Sequence, residues 1–283
     1  MHVRLGRRTH DVTHRALVMG ILNRTPDSFY DRGETFDLDA LLRKADRLVD
    51  EGADILDVGG VKAGPGPEVS EAEELDRVVA PIEALGGRFD IPLSVDTWRA
   101  SVLDAACEVG AVVGNDISGF ADPDYLDVAA RHGAAVVATH IRLQPRVPDP
   151  DPEYGDLVED VCAFLVDRAT QAEKAGIPRE SIMVDAGLDL GKTPAMSAVL
   201  LREGDRLAGL GYLLLLSASN KRFLGELLGL EIDDRRPESL ACVAYAVIHG
   251  ARVVRVHDVA GSRRVVAMLE ALLAATDRGS ADR

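Results

Sequence analysis

The sequence predicts a (β/α)8 barrel, and three observations carry that prediction. Eight short apolar runs recur along the 283 residues, with amphipathic stretches between them. Hydrophobic residues make up 47% of the chain and aromatic ones only 4%, so its core is aliphatic, as suits parallel strands buried on both faces. The length is that of one such barrel, about 250 residues with modest additions. No Pro/Ser-rich linker interrupts the pattern, so a single domain over 1–283 is expected, with its core at about 16–275 and short flexible termini.

The first run, ALVMGILN (16–23), ends on Asn23, and LDALLRKADRLVDEG then places apolar residues at helical spacing. ADILDVGG (53–60) is the second run and holds Asp57; a glycine-rich stretch follows, and Ser70 is positioned to open the next helix. PLSVDT (92–97) carries Asp96, AVVGNDIS (111–118) Asn115 and Asp116, and AAVVATH (134–140) His140. IMVDAG (182–187) carries Asp185, and the DLGKTP that follows opens a helix. Its GKT lacks the upstream glycine of a phosphate-binding loop, so Lys192 is read as a loop and cap residue. YLLLLSAS (212–219) ends at Ser219 with Lys221 just beyond, and VVRVHD (253–258) holds Arg255 and His257. Glycines in EGAD, VGAV, HGAA, AGIP and HGAR stand where helices should stop. VVAMLEALLAA reads as the last helix, and the tail 276–283 is expected to fray.

In a barrel the carboxyl ends of all strands converge on one face, where such folds keep their active sites. A single Asp ending a strand commonly caps a helix, and Asp57 and Asp116 admit that reading. Polar residues at all eight ends describe a pocket. Arg255 and His257, two apart, point the same way into its mouth. Only five lysines stand against twenty-seven arginines. Lys221 could donate to a phosphate or carbonyl oxygen, or act as a Schiff-base nucleophile.

The formal charge of −15 argues against nucleic-acid binding, since no basic stripe offsets it. The N-terminal MHVRLGRRTHDVTHR lacks an apolar core, and no run approaches a membrane span. A cytoplasmic protein is expected. Cys107, Cys162 and Cys242 lack metal-ligand or disulfide spacing and read as buried free thiols.

With NRTPDSF (23–29), DVGG (57–60), SVDT (94–97), ND (115–116), DAGLDLGKT (185–193), SNKRF (219–223) and RVHDV (255–259) in this order, the chain resembles dihydropteroate synthase. The resemblance spans roughly residues 16 to 275. It implies a (β/α)8 barrel, usually homodimeric, that joins p-aminobenzoate to a dihydropterin hydroxymethyl pyrophosphate with release of pyrophosphate, using Mg²⁺. It also implies that Asp185, supported by Asn115 and Asp96, accepts the donors of the pterin edge. Lys221 would donate to the ring oxygen, and Arg255 would lie against the bicycle. Arg255, His257 and Mg²⁺ held through Asn23 would stabilise the departing pyrophosphate. Thr25, Arg24, Lys62 and Arg222 fall with Asn23 on the pyrophosphate and second-substrate loops.

Departures from the family pattern cluster on the p-aminobenzoate side. Val61, Lys62, Ala63 and Gly64 stand where the family carries an acidic residue and Ser-Thr-Arg. Asn220 and Arg222 replace an arginine and a small hydroxyl, Leu190 an aromatic, and Arg24 and Tyr30 small residues. Ala186 follows Asp185 where proline is usual. The pterin half is kept and the arylamine half rebuilt, with Arg24, Lys62 and Arg222 expected to form a new anion-binding surface. The expectation is a synthase-like transferase with low or altered activity. The alternative is a pterin-binding paralogue without synthase activity or with another nucleophile. Methyl transfer from a reduced folate and a Schiff-base aldolase at Lys221 rank lower.

Overall fold

A computed structural model describes residues 1–25 and 37–278. Residues 26–36, which include 26–29 of the first motif and Tyr30, and the tail beyond 278 lie outside the described residues. The strands are β1 (His2–Leu5), β2 (Arg8–Asp11), β3 (Leu17–Asn23), β4 (Ile55–Gly59), β5 (Leu93–Asp96), β6 (Val113–Asp116), β7 (Ala135–Thr139), β8 (Ile182–Asp185), β9 (Leu213–Leu216) and β10 (Ala251–Val256). The helices are α1 (Leu38–Asp50), α2 (Glu71–Gly86), α3 (Ala100–Glu108), α4 (Tyr125–His132), α5 (Leu157–Lys174), α6 (Pro194–Arg202), α7 (Gly204–Ala208), α8 (Arg222–Leu228), α9 (Arg236–Ile248) and α10 (Val259–Arg278). β3 to β10 pair in parallel and in sequence order, and β10 returns to β3 to close the barrel. Seven of the eight predicted runs contain their strand, and the eighth, 253–258, overlaps β10, which begins two residues earlier at Ala251.

Local chemistry sets the helix ends. Ser70 caps α2 by accepting from the Glu73 amide at 3.2 Å, and Thr193 caps α6 by accepting from Met196. Gly52, Gly110, Gly133, Gly176 and Gly250 all take positive φ where helices stop, a conformation that a Cβ would strain.

Strand periodicity sorts the core into two. Alternate residues such as Val18, Leu22 and Val136 pack outward against the helices. Their neighbours Leu17, Met19, Ile55, Val113, Val137, Met183, Leu215 and Val253 fill the lower barrel. The N-terminal segment departs from the sequence reading. Expected to lie outside the core as a short flexible terminus, it forms an antiparallel hairpin, β1–β2, whose Val3 and Leu5, together with Val12, are buried among those inward residues. The Ser181 hydroxyl donates to the Arg4 carbonyl at 3.0 Å, fastening the hairpin to the barrel floor. With the floor sealed by apolar contacts, the polar inward positions lie at the opposite, carboxyl end.

Among the described residues no helix is long and apolar enough to cross a membrane. Cys162 and Cys242 are buried and Cys107 is partly so, all as free thiols.

Candidate functional site

The inward ladder that begins with Leu17 and Met19 ends with Asn23, and the same two-residue step leads from Val113 to Asn115, from Met183 to Asp185 and from Val253 to Arg255. These four, with Asp96, Thr25, Lys221 and His257, line a cavity of about 400 Å³ at the barrel mouth. That volume lies in the range of small-molecule sites. Strand parity also corrects two members of the sequence-derived ring. His140 and Asp116 face outward, and Thr139, one residue from His140, lines the cavity instead. Asp116 caps its own loop, accepting from the Ser118 and Phe120 amides at 2.6 and 2.9 Å.

Asp57 is not a helix cap. It is fully buried one layer beneath the cavity, where its Oδ2 accepts from Arg255 Nε at 2.6 Å and from Asn115 Nδ2 at 3.2 Å. Arg255 Nη2 donates to Asp96 Oδ2 at 2.7 Å. The guanidinium is thus held edge-on between two carboxylates, which leaves its flat face and Nη1 for a ligand. Burial works against this cation, but the charges of Asp57 and Asp96 outweigh it and hold Arg255 above its ordinary pKa. Burial raises Asp96 to about 7, against the pull of Arg255 and with help from the nearby Asp57 charge. Because Asn115 spends its amide nitrogen on Asp57, its carbonyl oxygen is the end available to a donor.

Asp185 is also raised by burial, with Lys221 opposing. Its Oδ1 accepts from the Gly187 amide at 2.9 Å, while Oδ2 has no protein donor among the described residues. A desolvated carboxylate with one uncommitted oxygen is a receptor for a donor pair. Lys221 lies across the cavity, depressed by burial, and donates to the Leu188 carbonyl at 2.5 Å. His257 is oriented by Ser219, whose Oγ lies 3.0 Å from Nδ1 and accepts from the His257 amide at 3.1 Å.

The substituted positions divide. Lys62 and Arg222 line the cavity, although Arg222 is 65% exposed and pairs with Glu226 at 2.8 Å. Arg24 is not among the lining residues, and its guanidinium donates at 2.8 Å to the Asp76 carbonyl on α2. Of the three cations expected to share one surface, two line the cavity and Arg24 does not. Asn220 has a backbone reason for its identity, since its φ is +55° and asparagine tolerates that region better than most side chains.

The model of a family described as "Pterin binding enzyme" matches residues 19–257. The chain belongs to the pterin binding enzyme family. This pterin binding enzyme is 44% identical to "Inactive dihydropteroate synthase 2" of Mycobacterium leprae, with 91% of both chains covered. It is 40% identical to the dihydropteroate synthase of Bacillus subtilis, covering 92% of this chain and 89% of the other. Its backbone superposes on the Yersinia pestis dihydropteroate synthase, solved as a sulfonamide drug complex, with a TM-score of 0.92 at 39% identity; 97% of this chain and 100% of the other are covered.

Two features of the pterin binding enzyme escaped sequence reasoning. Lys192 lies in the loop before α6, as expected, but Thr193 is the cap; Lys192 is instead 3% exposed and donates to His140 Nδ1 and to the Leu190 carbonyl, both at 2.9 Å. Burial lowers Lys192 to about 7 and His140 to about 3, so the imidazole is neutral and accepts at Nδ1. The second feature is Arg146, in the loop after β7. Its amide donates to the Ala63 carbonyl at 3.2 Å, and its guanidinium donates to the carbonyls of Lys62 and Pro67. The glycine-rich loop after β4 is therefore tied across the barrel mouth. The only sequence signal was the length of the β7–α5 connection, since loops that long usually carry function.

Proposed function

We propose that this protein is a dihydropteroate synthase-like transferase, and the observation that carries the reading is Asp185. A buried carboxylate with an open oxygen, Asn115 offering a carbonyl and Lys221 offering an ammonium together match a ring edge with paired donors beside a carbonyl acceptor, as a pterin has. Arg255, its edges spent on Asp57 and Asp96, offers the face on which the bicycle would lie.

The chemistry asked of the protein is modest. The arylamine nitrogen forms the new bond to the pterin methylene as the C–O bond breaks and its electron pair leaves with pyrophosphate. The amine then releases its proton. His257, fixed by Ser219, and the remaining nitrogen of Arg255 face the departing anion. Mg²⁺ would add charge neutralisation when bound. Among the described residues no three His, Cys, Asp or Glu side chains converge on a metal position. That donor set fits an ion whose ligands are mainly substrate phosphates and water, with the Asn23 amide oxygen from the protein.

A second reading, favoured by Val61–Gly64 and Arg222, is a pterin-binding paralogue with no arylamine-dependent turnover or with another nucleophile. The inactive relative is consistent with it. Pyrophosphate release from the dihydropterin pyrophosphate with Mg²⁺, run with and without p-aminobenzoate, separates the two. Release that requires p-aminobenzoate supports the synthase. Binding without release supports the paralogue.

A homodimer is part of the same proposal. Tyr245 and Ile248 of α9, with Met268 and Leu272 of α10, are exposed on adjacent helices, Ile248 at 56% and Met268 at 58%, an apolar patch suited to a second copy.

A further inference from the structure

The basic N-terminal segment takes no part in the chemistry at the mouth. Its first fifteen residues hold four arginines against one carboxylate, Asp11, in a chain whose formal charge is −15. The β1–β2 hairpin gathers three of the four. Gly6, at its turn, has a φ of +58°, and a Cβ there would lie 2.8 Å from Val112 Cγ1. Glycine lets the turn come this close to the barrel, and the approach brings Arg4, Arg7 and Arg8 to the amino ends of β5, β6 and β7.

A cavity of about 680 Å³ lies there, at the opposite end of the barrel from the mouth. Arg4, Arg7, Arg8 and His132 line it, and no aspartate or glutamate does. The cations divide by partner. Arg8 donates to the carbonyl and the carboxylate of Asp90, and His132 shares the Asp104 carboxylate with Arg131. Arg4 and Arg7 have no hydrogen-bonded or ion-paired carboxylate among the described residues. Arg4 Nε is buried with no hydrogen-bond partner, so packing rather than an acid holds this guanidinium in place.

The rest of the wall is apolar and open. Ile91 and Val112 are partly buried, and a Cβ added at Gly110 or Gly133 would meet nothing within 4 Å. Two guanidiniums without carboxylates suit the several oxygens of one tetrahedral dianion, because their forked donors match its geometry. The apolar wall gives room for an organic body joined to that anion.

We propose that this cavity binds a phosphate monoester with a small apolar body, its phosphate on Arg4 and Arg7 and its body against Ile91 and Val112. Such a ligand joins the hairpin to the starts of β5 and β6. It therefore stabilises the folded floor by mass action and is neither substrate nor product of the reaction at the mouth.

The probes are phenyl phosphate, inorganic phosphate and benzoate, titrated calorimetrically into the full chain, native and Arg7→Gln. Amide hydrogen exchange locates what binds. Arg7 is exposed at the hairpin turn, so Arg7→Gln should keep the native Tm when no probe is added. Phenyl phosphate should bind about tenfold more tightly than either other probe, and Arg7→Gln should weaken it about tenfold. Exchange should slow in residues 2–11 and around Gly110 and Gly133. No binding, equal constants for the native protein and Arg7→Gln, or protection confined to the mouth loops would overturn the site. Benzoate binding as tightly as phenyl phosphate would overturn the phosphate assignment. Inorganic phosphate doing so would overturn the organic body.

Discussion

Asp57 and Arg255 stand 198 residues apart in the chain and meet in a 2.6 Å ion pair beneath the cavity floor. Asp57 is fully buried there, so its removal leaves a cation facing an uncompensated gap. Asp57→Asn should cost about 3 kcal/mol in urea unfolding, at the low end for a broken buried pair because Asp96 remains on Arg255. Pterin affinity should fall with it, and unchanged stability would show that Asp96 alone holds the guanidinium.

Asp185→Asn tests recognition. It keeps the shape and the Gly187 contact while losing a charge-assisted bond, so the Kd for the pterin pyrophosphate should rise roughly 10- to 100-fold. Thermal stability should hold or increase, since burial raises the carboxyl and makes its ionised form costly. A Kd within twofold of the native value would place the pterin elsewhere.

The Asp96 carboxyl gives stability a sign with pH. When folded it keeps its proton up to about 7, whereas unfolded it ionises near 4. Between those values the folded chain holds the extra proton, so this group's contribution falls as pH rises. His140, lowered to about 3, contributes in the opposite direction below its ordinary value near 6.5, so the native Tm profile alone is a sum. The Tm of the native protein relative to Asp96→Asn should therefore decline from pH 5 to 8. A flat difference would show that Asp96 is ionised throughout.

The loop after β4 can be given back its polar groups. Lys62→Ser, Ala63→Thr and Gly64→Arg together, combined with Arg222→Ser, should raise kcat with p-aminobenzoate by about tenfold and leave the pterin KM nearly unchanged, since the loop's contacts form in the closed state. Gly64 does not have positive φ and has open space around it, so the arginine is tolerated there. No gain would point to Arg146 as the restraint, because it grips the same loop through carbonyls that the substitutions retain.

The hairpin is structural. Leu5→Ala removes a side chain that is 1% exposed and should destabilise by about 2–5 kcal/mol. Pterin affinity should not move, since the hairpin lies at the opposite end from the mouth.

The barrel was legible because its strands are apolar runs that end on polar residues, a pattern set by burial along the wall and solvation at the mouth. Asn23, Asp96, Asn115, Asp185, Lys221, Arg255 and His257 could be read for that reason, and the structure brings all seven to one cavity. Parity was harder: Thr139 rather than His140 faces inward, and a single residue at a strand end decides which face it takes. The hairpin escaped because Val3 and Leu5 alternate among charged residues over only four positions. Arg24 misled because a cation beside a pocket can turn to a helix carbonyl instead. Arg146 and Lys192 find their partners through loops, where no periodicity reports spacing.

The sealed floor also bears on how the chain acquires its structure. Val3 and Leu5 belong to one buried cluster with residues as distant as Met183, Leu215 and Val253, and β3 has its second neighbour only when β10 arrives. A ribosome releasing this chain leaves the apolar face of the hairpin and one edge of β3 unpaired until nearly the whole sequence has emerged. Contacts of such long sequence separation make folding slow, and the waiting edge is open to wrong partners. The last strand therefore acts as the closing step of a late, cooperative event, and Arg255 reaches Asp57 in that same step.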